Sequence, residues 1–230
     1  MSIAEHISKI EERIAQAVLR SGREPGSVRL VAVSKTKPAA AVAEAFSCGQ
    51  RIFGENYVQE LVGKHAELPG EISWHFIGNL QSNKVRQIAG LVDLIHSVDR
   101  LSLATEIDRQ WGAIGKVCDV LIQVNISREA TKGGATSEEL LALVQEVARM
   151  PNLRVCGLMT MPPFFDDPEG ARPYFRALRE LAKELEAAAV PGVEMRELSM
   201  GMSGDFEAAI EEGATLVRVG SALFGEREYR

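Results

Sequence analysis

Short runs of branched apolar residues alternate with segments of helical periodicity along the chain, and this alternation restricts the fold more than any other feature. Eight such runs can be counted and seven helical segments separate them. Strands this short and this apolar are typical of parallel sheets whose two faces are both covered by helices. The runs, in chain order, are VRLVAVS, RIFGE, ISWHFIG, LVDLIHSV, KVCDVLIQVNI, LRVCGLMTM, EMRELSM and TLVRVG.

Strict alternation of strands and helices leaves two architectures, a closed barrel and an open doubly wound sheet. Eight units of roughly 29 residues match the usual size of a (β/α)₈ barrel, whereas open sheets more often contain five or six strands. The 230 residues include no linker rich in Pro, Gly or Ser. We therefore predict one α/β domain over residues 1–230, a single (β/α)₈ TIM barrel with an extra N-terminal helix from about Ser2 to Arg20.

Composition and charge argue against several classes of protein. The net charge is −6 and no run of five like charges occurs, so nucleic acid is not an expected partner. No apolar run reaches the roughly 18 residues that cross a bilayer, and the N-terminus is charged and amphipathic, so we expect a cytoplasmic protein. Cys48, Cys118 and Cys156 show no metal-ligand spacing. We predict no metal site and no disulfide, with Cys118 and Cys156 in core strands.

Glycine and serine residues follow the seventh and eighth predicted strands, in LSMGMSGD (residues 198–205) and VRVGSALFG (residues 217–225). In β/α barrels phosphate groups commonly bind beyond these two strands. Glycine lets the backbone approach an anion closely, and free N–H groups at a helix start act as donors. Ordinary strand-to-helix turns also use Gly and Ser, but two such loops at these two strands favour a phosphate site.

Lys35 follows the first predicted strand, so it faces the same barrel mouth as the two loops. A free lysine has a pKa near 10.4, and an imine-forming lysine needs burial or a nearby cation to lower that value. Lys37 supplies such a cation if it points the same way. The alternative interpretation is a solvated strand exit, in which Pro38 starts the next helix at its first turn.

Arg218 lies in an apolar strand two residues before Gly220. An arginine there is costly to bury without a specific acceptor. A ring nitrogen or a carboxylate of a ligand is one such acceptor. A salt bridge to a neighbouring strand is the alternative.

Six motifs in order carry a family resemblance: LVAVSKTKP, FGENYVQE, WHFIGNLQSNK, GLMTM, LSMGMSGD and VRVGSALFG. Together they resemble the pyridoxal phosphate homeostasis protein family, small pyridoxal-phosphate-binding proteins with an alanine-racemase-like barrel of fold type III. The likeness runs from about Val28 to Gly225. It implies that Lys35 forms a Schiff base with pyridoxal 5′-phosphate (PLP). It implies a further set of cofactor-binding residues, with the phosphate on Ser203, Gly220 and Ser221, Ser199 and Met200 nearby, Arg218 at the pyridine nitrogen and Asn56 at the ring face.

An arginine at the pyridine nitrogen only donates hydrogen bonds, so the resemblance implies a ring that is a weak electron sink. In the racemases with a similar barrel, a second domain and a partner subunit supply a catalytic tyrosine, and a chain ending at Arg230 leaves no room for that domain. We therefore expect a monomeric, non-catalytic PLP carrier without catalytic residues. Its expected contacts with apo PLP enzymes are transient.

Two other functions stay open at this point. One is a single-domain amino-acid racemase in which Lys35 acts as one base, and the other is a cofactor-free phosphate-sugar barrel in which Lys35 is structural. His75 and His96 fall near the ends of predicted strands, and we assign both a structural role because no ligand spacing or catalytic partner is evident. Lys84 and Lys132 are basic residues in the loops after the third and fifth predicted strands. Transient docking of a second cofactor or anion is one interpretation of these lysines, and for Lys132 we favour no functional role.

Overall fold

Helix α1 spans Ile3–Arg20 and precedes the first strand. Ser2 caps it, because the Ser2 hydroxyl accepts from the Glu5 amide while the Glu5 carboxylate accepts from the Ser2 amide. The predicted N-terminal helix is confirmed. Its buried face consists of Ile7, Ile10, Ile14, Ala17 and Val18.

The computed structural model describes residues 2–129 and 133–225. Each of the eight apolar runs overlaps a strand, and only β7 begins before its run, by one residue. The strands are β1 Arg29–Val33, β2 Ile52–Glu55, β3 Ser73–Phe76, β4 Leu94–Val98, β5 Cys118–Gln123, β6 Leu153–Met159, β7 Val193–Ser199 and β8 Leu216–Val219.

The strands form one closed parallel barrel in which each strand pairs with the next and β8 pairs with β1. The register at the closure joins Arg29 to Leu216 and Ala32 to Val219. An open doubly wound sheet would have two unpaired edges, so the predicted TIM barrel is confirmed. That residues 1–230 form a single domain stays a prediction.

Each of the seven segments predicted as helical contains a helix between consecutive strands. These helices are α2 Ala39–Ser47, α3 Val58–Glu67, α4 Val85–Ile88, α5 Leu101–Ala113, α6 Ser137–Val147, α7 Arg172–Ala187 and α8 Phe206–Glu211. A short helix that the sequence did not predict, α9 Ser221–Phe224, follows β8.

Two local details differ from the sequence-based expectation. The segment QSNKVRQIAG forms a 3₁₀ turn at Ser82–Lys84 followed by the four-residue α4, rather than a full helix. Pro38, which the alternative interpretation of this segment puts in the first turn of the helix, precedes α2 with an extended backbone, at ψ 156°. Proline fixes only φ, and its φ of −68° suits either place.

The barrel interior contains both apolar and polar side chains. A separate apolar cluster, distinct from the layer between strands and helices, contains Val31, Leu94 and Leu216. The register places His75 beside Leu94, Ser199 beside Leu216 and Arg218 beside Val31. Neighbouring residues in register share a face of the sheet, so these three polar side chains also point into the barrel.

Cys118 and Cys156 are buried strand residues, as predicted, and Cys48 is exposed; all three are free thiols. Among the described residues, no group of three or more His, Cys, Asp or Glu side chains is placed to hold a metal ion. No helix in the described part of the chain is long and apolar enough to cross a bilayer.

Candidate functional site

A cavity of about 330 Å³ opens at the carboxyl ends of the barrel strands. This is the end at which β/α barrels assemble their sites, and the volume suits a small ligand. Six of the eight residues that the resemblance assigns to the cofactor line it: Lys35, Asn56, Ser203, Arg218, Gly220 and Ser221.

A larger cavity of about 630 Å³ lies at the opposite end of the barrel, where α1 faces the starts of β1 and β2. Its walls are mainly apolar. Two of its polar side chains are already bonded to the backbone: Arg23 donates to the carbonyls of Ile210 and Ala214, and Gln50 donates to those of Leu30 and Ile52. The smaller and more polar cavity is therefore the candidate site.

Lys35 lies in a tight turn immediately after β1. The Lys37 amide donates to the Ser34 carbonyl at 3.0 Å, which closes a four-residue turn with Lys35 and Thr36 at its centre. Thr36 has a φ of +63°. Positive φ at this position marks a type II-like turn, which favours glycine or asparagine there, and a β-branched residue is an outlier. The turn that presents Lys35 to the cavity is therefore strained.

Side chains from β2 and α3 surround this turn. The Ser34 hydroxyl donates to Glu55 Oε1 at 2.7 Å, and Lys64 Nζ donates to the same oxygen at 2.6 Å and to the Ser34 carbonyl at 2.7 Å. Glu60 Oε2 accepts from Lys64 Nζ at 3.1 Å and from the Thr36 amide at 2.7 Å. Burial raises the pKa of the Glu55 carboxyl, and Lys64 and Ser34 act in the opposite direction.

The loops after β7 and β8 form a second wall of the cavity. The Gly220 and Ala222 amides donate to the Ser203 hydroxyl at 3.3 Å and 3.4 Å. Helix α9 starts at Ser221, and a short extra helix after the eighth strand is a recurrent phosphate site in β/α barrels. The loop therefore groups a hydroxyl with two N–H donors at one wall of the cavity, and in this structure the hydroxyl is the acceptor of both.

Arg218 lies on β8, is buried and reaches the cavity. Its Nη1 donates to the Ser199 hydroxyl at 2.5 Å and its Nη2 to the Thr160 carbonyl at 3.0 Å, which occupies two of five N–H donors. Burial lowers the pKa of Arg218 to about 10, and the Asp205 carboxylate acts in the opposite direction. The guanidinium therefore stays charged at neutral pH and presents a donor-only cation to the cavity.

Asn56 follows β2 and lines the cavity. Its Oδ1 is buried and has no hydrogen-bond partner among the described residues. The Asn56 backbone lies so close to Gly78 that a Cβ at position 78 would be 2.3 Å from the Asn56 carbonyl oxygen. A buried acceptor without a partner destabilises a protein, so this oxygen fits a ligand that donates a hydrogen bond.

Ser199 and Met200 are not among the described residues that line the cavity. The Met200 side chain is buried in the layer between strands and helices, and its amide donates to the Leu216 carbonyl at 3.1 Å. The Ser199 hydroxyl accepts from Arg218 and lies 2.8 Å from Nδ1 of His96. Ser199 therefore reaches the site through Arg218.

His75 and His96 lie deeper in the barrel, with Nδ1 of His75 2.9 Å from Nε2 of His96. Burial lowers the pKa of His75 to about 3, and burial also lowers the pKa of His96 well below its usual value. Both rings are therefore neutral at pH 7. Neither is among the described lining residues, which agrees with the structural role predicted for both.

The three other basic residues singled out from the sequence are placed differently. Lys37 lines the cavity and its Nζ donates to the Phe224 carbonyl at 3.1 Å. Lys84 ends the 3₁₀ turn after β3 and is not among the described lining residues. Lys132 lies outside the described residues.

Sequence reasoning missed an apolar wall of the cavity, formed by Met161, Phe164 and Phe165 after β6. Phe164 is 86% exposed, which is unusual for an aromatic side chain. The available signal was an aromatic pair directly after two prolines, in a loop that has no apolar periodicity of its own. Asp205, the last residue of the segment LSMGMSGD, also lines the cavity, and the sequence did not mark it as a site residue.

Comparisons with known proteins agree with this geometry. The family model described as "Alanine racemase, N-terminal domain" matches residues 6–228. The pyridoxal phosphate homeostasis protein of Aquifex aeolicus is 48% identical over the full length of both chains. That of Pseudomonas aeruginosa is 49% identical over 99% of this chain and 97% of its own. The chain belongs to the pyridoxal phosphate homeostasis protein family.

Solved structures extend the comparison. The structure of PipY from Synechococcus elongatus with PLP bound has a TM-score of 0.84 and 40% identity, and covers 97% of this chain and all of PipY. Alanine racemase from Corynebacterium glutamicum has a TM-score of 0.74 at 14% identity, and the match covers 97% of this chain but 62% of the racemase. The second likeness shows the alanine racemase barrel fold alone.

Proposed function

We propose that this protein binds pyridoxal 5′-phosphate and serves its intracellular homeostasis, holding the cofactor as a Schiff base on Lys35 and passing it on. The observation that carries the proposal is the convergence of an amine, a donor-only guanidinium and an anion-binding loop on one cavity of about 330 Å³. The name of the curated relatives and the PLP-bound PipY structure support it.

The described residues fit the chemical groups of this cofactor. Ser203, Gly220 and Ser221 would hold the phosphate, Arg218 would donate to the pyridine nitrogen, and Asn56 would offer its unpartnered Oδ1 to a donor. When bound, PLP supplies an aldehyde, with which a lysine amine condenses and releases one water. Ser199 and Met200 support this site from behind, Ser199 through its bond to Arg218.

A carrier without turnover is the favoured role. Arg218 donates but does not accept, so it leaves a pyridine nitrogen unprotonated and disfavours carbanion chemistry. Among the described residues that line the cavity, none is a tyrosine, histidine or cysteine that would serve as a second base. We place the carrier in the cytoplasm, as a single-domain monomer with transient contacts to apo PLP enzymes.

A single-domain amino-acid racemase is the second candidate, because Asp205 and Lys37 also line the cavity and are titratable. Burial raises the pKa of the Asp205 carboxyl, and the hydrogen bond that it accepts from the Met202 amide acts in the opposite direction. Incubation of the PLP-loaded protein with amino acids in heavy water separates the two roles. A racemase exchanges the α-proton for deuterium at a rate typical of enzymes, and a carrier does not.

Borohydride reduction of the PLP-loaded protein, followed by mass mapping, tests the Schiff base. We expect the adduct on Lys35, its loss in Lys35→Ala and its retention in the control Lys84→Ala, whose lysine lies outside the cavity lining. Thermal unfolding of both variants checks that they fold. A reduced adduct on another lysine would show that Lys35 does not form the Schiff base. A protein that takes up no PLP would favour the cofactor-free phosphate-sugar barrel.

A further inference from the structure

The strained residue next to Lys35 is held in place by one side chain from a distant part of the chain. Thr36 has a φ of +63°, a conformation that β-branched residues rarely adopt without a specific restraint. The restraint is Glu60, whose Oε2 accepts from the Thr36 amide at 2.7 Å. Glu60 lies on α3, whereas the turn follows β1, so the contact joins two barrel units.

The Glu60 carboxylate is itself fixed in position. Lys64, four residues later on α3, donates to Glu60 Oε2 at 3.1 Å. The same Nζ also donates to Glu55 Oε1 at 2.6 Å and to the Ser34 carbonyl at 2.7 Å. These three bonds match the three donors of the ammonium group. Both neighbours of Lys35 in sequence, Ser34 and Thr36, are thus tied to one charged cluster.

We infer that Glu60 is a positioning residue for Lys35: by holding Thr36 in its left-handed conformation, it directs the Lys35 side chain into the cavity. A turn with negative φ at Thr36 would rotate the peptide that follows Lys35 and change the path of the backbone there. Glu60 is not among the described lining residues, so it acts on the lysine through the turn. The inference rests on the proposed function, since the cofactor is what Lys35 is directed towards.

Three variants isolate this effect. Glu60→Ala removes the acceptor, Glu60→Gln keeps an oxygen acceptor and removes the charge, and Glu67→Ala removes an exposed carboxylate from the end of the same helix as a control. PLP affinity is measured from the visible absorbance of the Schiff base. Hydrogen exchange of the Thr36 amide is measured on the protein without cofactor, so one readout does not depend on PLP.

In Glu60→Ala we expect PLP affinity to fall by about tenfold or more and Thr36 amide exchange to rise by a similar factor, the loss expected for a hydrogen bond to a charged acceptor. Glu60→Gln should fall between wild type and Glu60→Ala, and Glu67→Ala should match wild type. Thermal unfolding identifies any variant that fails to fold. If Glu60→Ala fails to fold, the comparison of Glu60→Gln with wild type still tests the inference.

A second background tests the conformational step. Glycine adopts positive φ without strain, so Glu60→Ala should weaken PLP binding much less in a Thr36→Gly protein than in the wild type. Equal losses in the two backgrounds would overturn the inference, as would wild-type affinity and Thr36 exchange in Glu60→Ala. A wild-type protein that forms no Schiff base would overturn the proposed function. If the wild-type protein binds PLP and Glu60→Ala binds it equally well, only the inference is overturned.

Discussion

Arg218 shows at the scale of one residue how burial and function combine. A guanidinium inside the barrel is stabilised by the Ser199 hydroxyl and the Thr160 carbonyl, which both accept from it. Both acceptors are neutral, so neither of these two hydrogen bonds brings a negative charge to the guanidinium. The remaining donors therefore favour a polar ligand at this side of the cavity.

Replacing Arg218 tests this account through stability. Arg218→Met keeps an unbranched side chain but leaves the Thr160 carbonyl buried without its described donor, so we expect a loss of about 1–3 kcal/mol in the free energy of unfolding. Urea denaturation measures it. The control is Arg109→Met, which removes an exposed i,i+3 pair with Glu106 and should change stability much less than Arg218→Met does. Equal losses in the two variants would contradict the assigned role of the Arg218 hydrogen bonds.

Charged residues in or just after apolar strands were the predictable part of the site. Lys35 and Arg218 were identified because a charged residue beside an apolar strand needs an explanation, and the structure brings both to the cavity. The same reasoning could not tell whether Ser199 or Met200 points into the barrel. Consecutive residues of a strand point to opposite faces, and the sequence alone does not fix which residue points to which face. The Glu60 contact to Thr36 was missed because the two residues meet only through the packing of α3.

At the scale of elements, the pairing of β6 is irregular on both sides. The register shifts between Val120 and Leu121 of β5 and again between Val155 and Gly157 of β6. A Cβ at position 157 would lie 1.8 Å from the Glu197 carbonyl oxygen, so only glycine permits β6 and β7 to pair there. The apolar runs predicted that these strands exist. The register shifts depend on tertiary contacts, so the sequence did not predict them.

Gly157→Ala should therefore disrupt the β6–β7 pair. Since the obstacle is backbone rather than a flexible side chain, we expect a loss of more than about 3 kcal/mol, in the range of severe packing and strain defects. The control is Gly63→Ala, on α3, where a Cβ meets nothing within 4 Å; it should stabilise the protein by roughly 0.5–1 kcal/mol. Thermal unfolding compares the two, and a soluble Gly157→Ala protein of wild-type stability would contradict the prediction.

Helix α7 is held to the end of α8 by charge. Glu212 is almost fully buried and accepts from Arg176 Nη2 at 2.8 Å, with Arg172 and Arg179 also in contact at 3.4 Å and 3.1 Å. Glu212→Gln should cost about 1–3 kcal/mol, because it removes the negative charge and replaces one of the two buried oxygens that accept from the arginines by an NH₂ donor. Glu146→Gln, which weakens an exposed i,i+3 pair with Arg149, should cost less than about 0.5 kcal/mol. Denaturation at low and high salt checks both, and a Glu212 effect that vanishes with salt would contradict the assignment.

At the scale of the whole molecule, closure of the barrel was predictable from the number and spacing of its units, because eight short apolar strands leave few other arrangements. The combination of apolar and polar side chains inside the barrel was not predictable from the sequence. An apolar layer with Val31 and Leu121 adjoins a buried hydrogen-bonded row of His75, His96 and Ser199. This row joins the barrel interior to Arg218, so the polar part of the core supports the site.

The buried histidines make the stability of the whole barrel depend on pH. Burial lowers the pKa of His75 to about 3, and it lowers that of His96 well below its usual value. In the unfolded chain a histidine titrates near pH 6.5, so between these values the unfolded state binds protons that the folded state does not. The contribution is present above about pH 6.5 and is lost as pH falls, with a limiting slope of roughly 1.4 kcal/mol per pH unit for each histidine.

His75→Asn should remove one of these two contributions. Absolute stability also changes, because the bond to His96 is altered, so the slope of the free energy of unfolding between pH 5 and pH 6.5 is the quantity to compare. Urea denaturation across this range should give a slope smaller than that of wild type by up to roughly 1.4 kcal/mol per pH unit. An unchanged slope in His75→Asn would mean that His75 is protonated inside the barrel, which its burial beside a second imidazole disfavours.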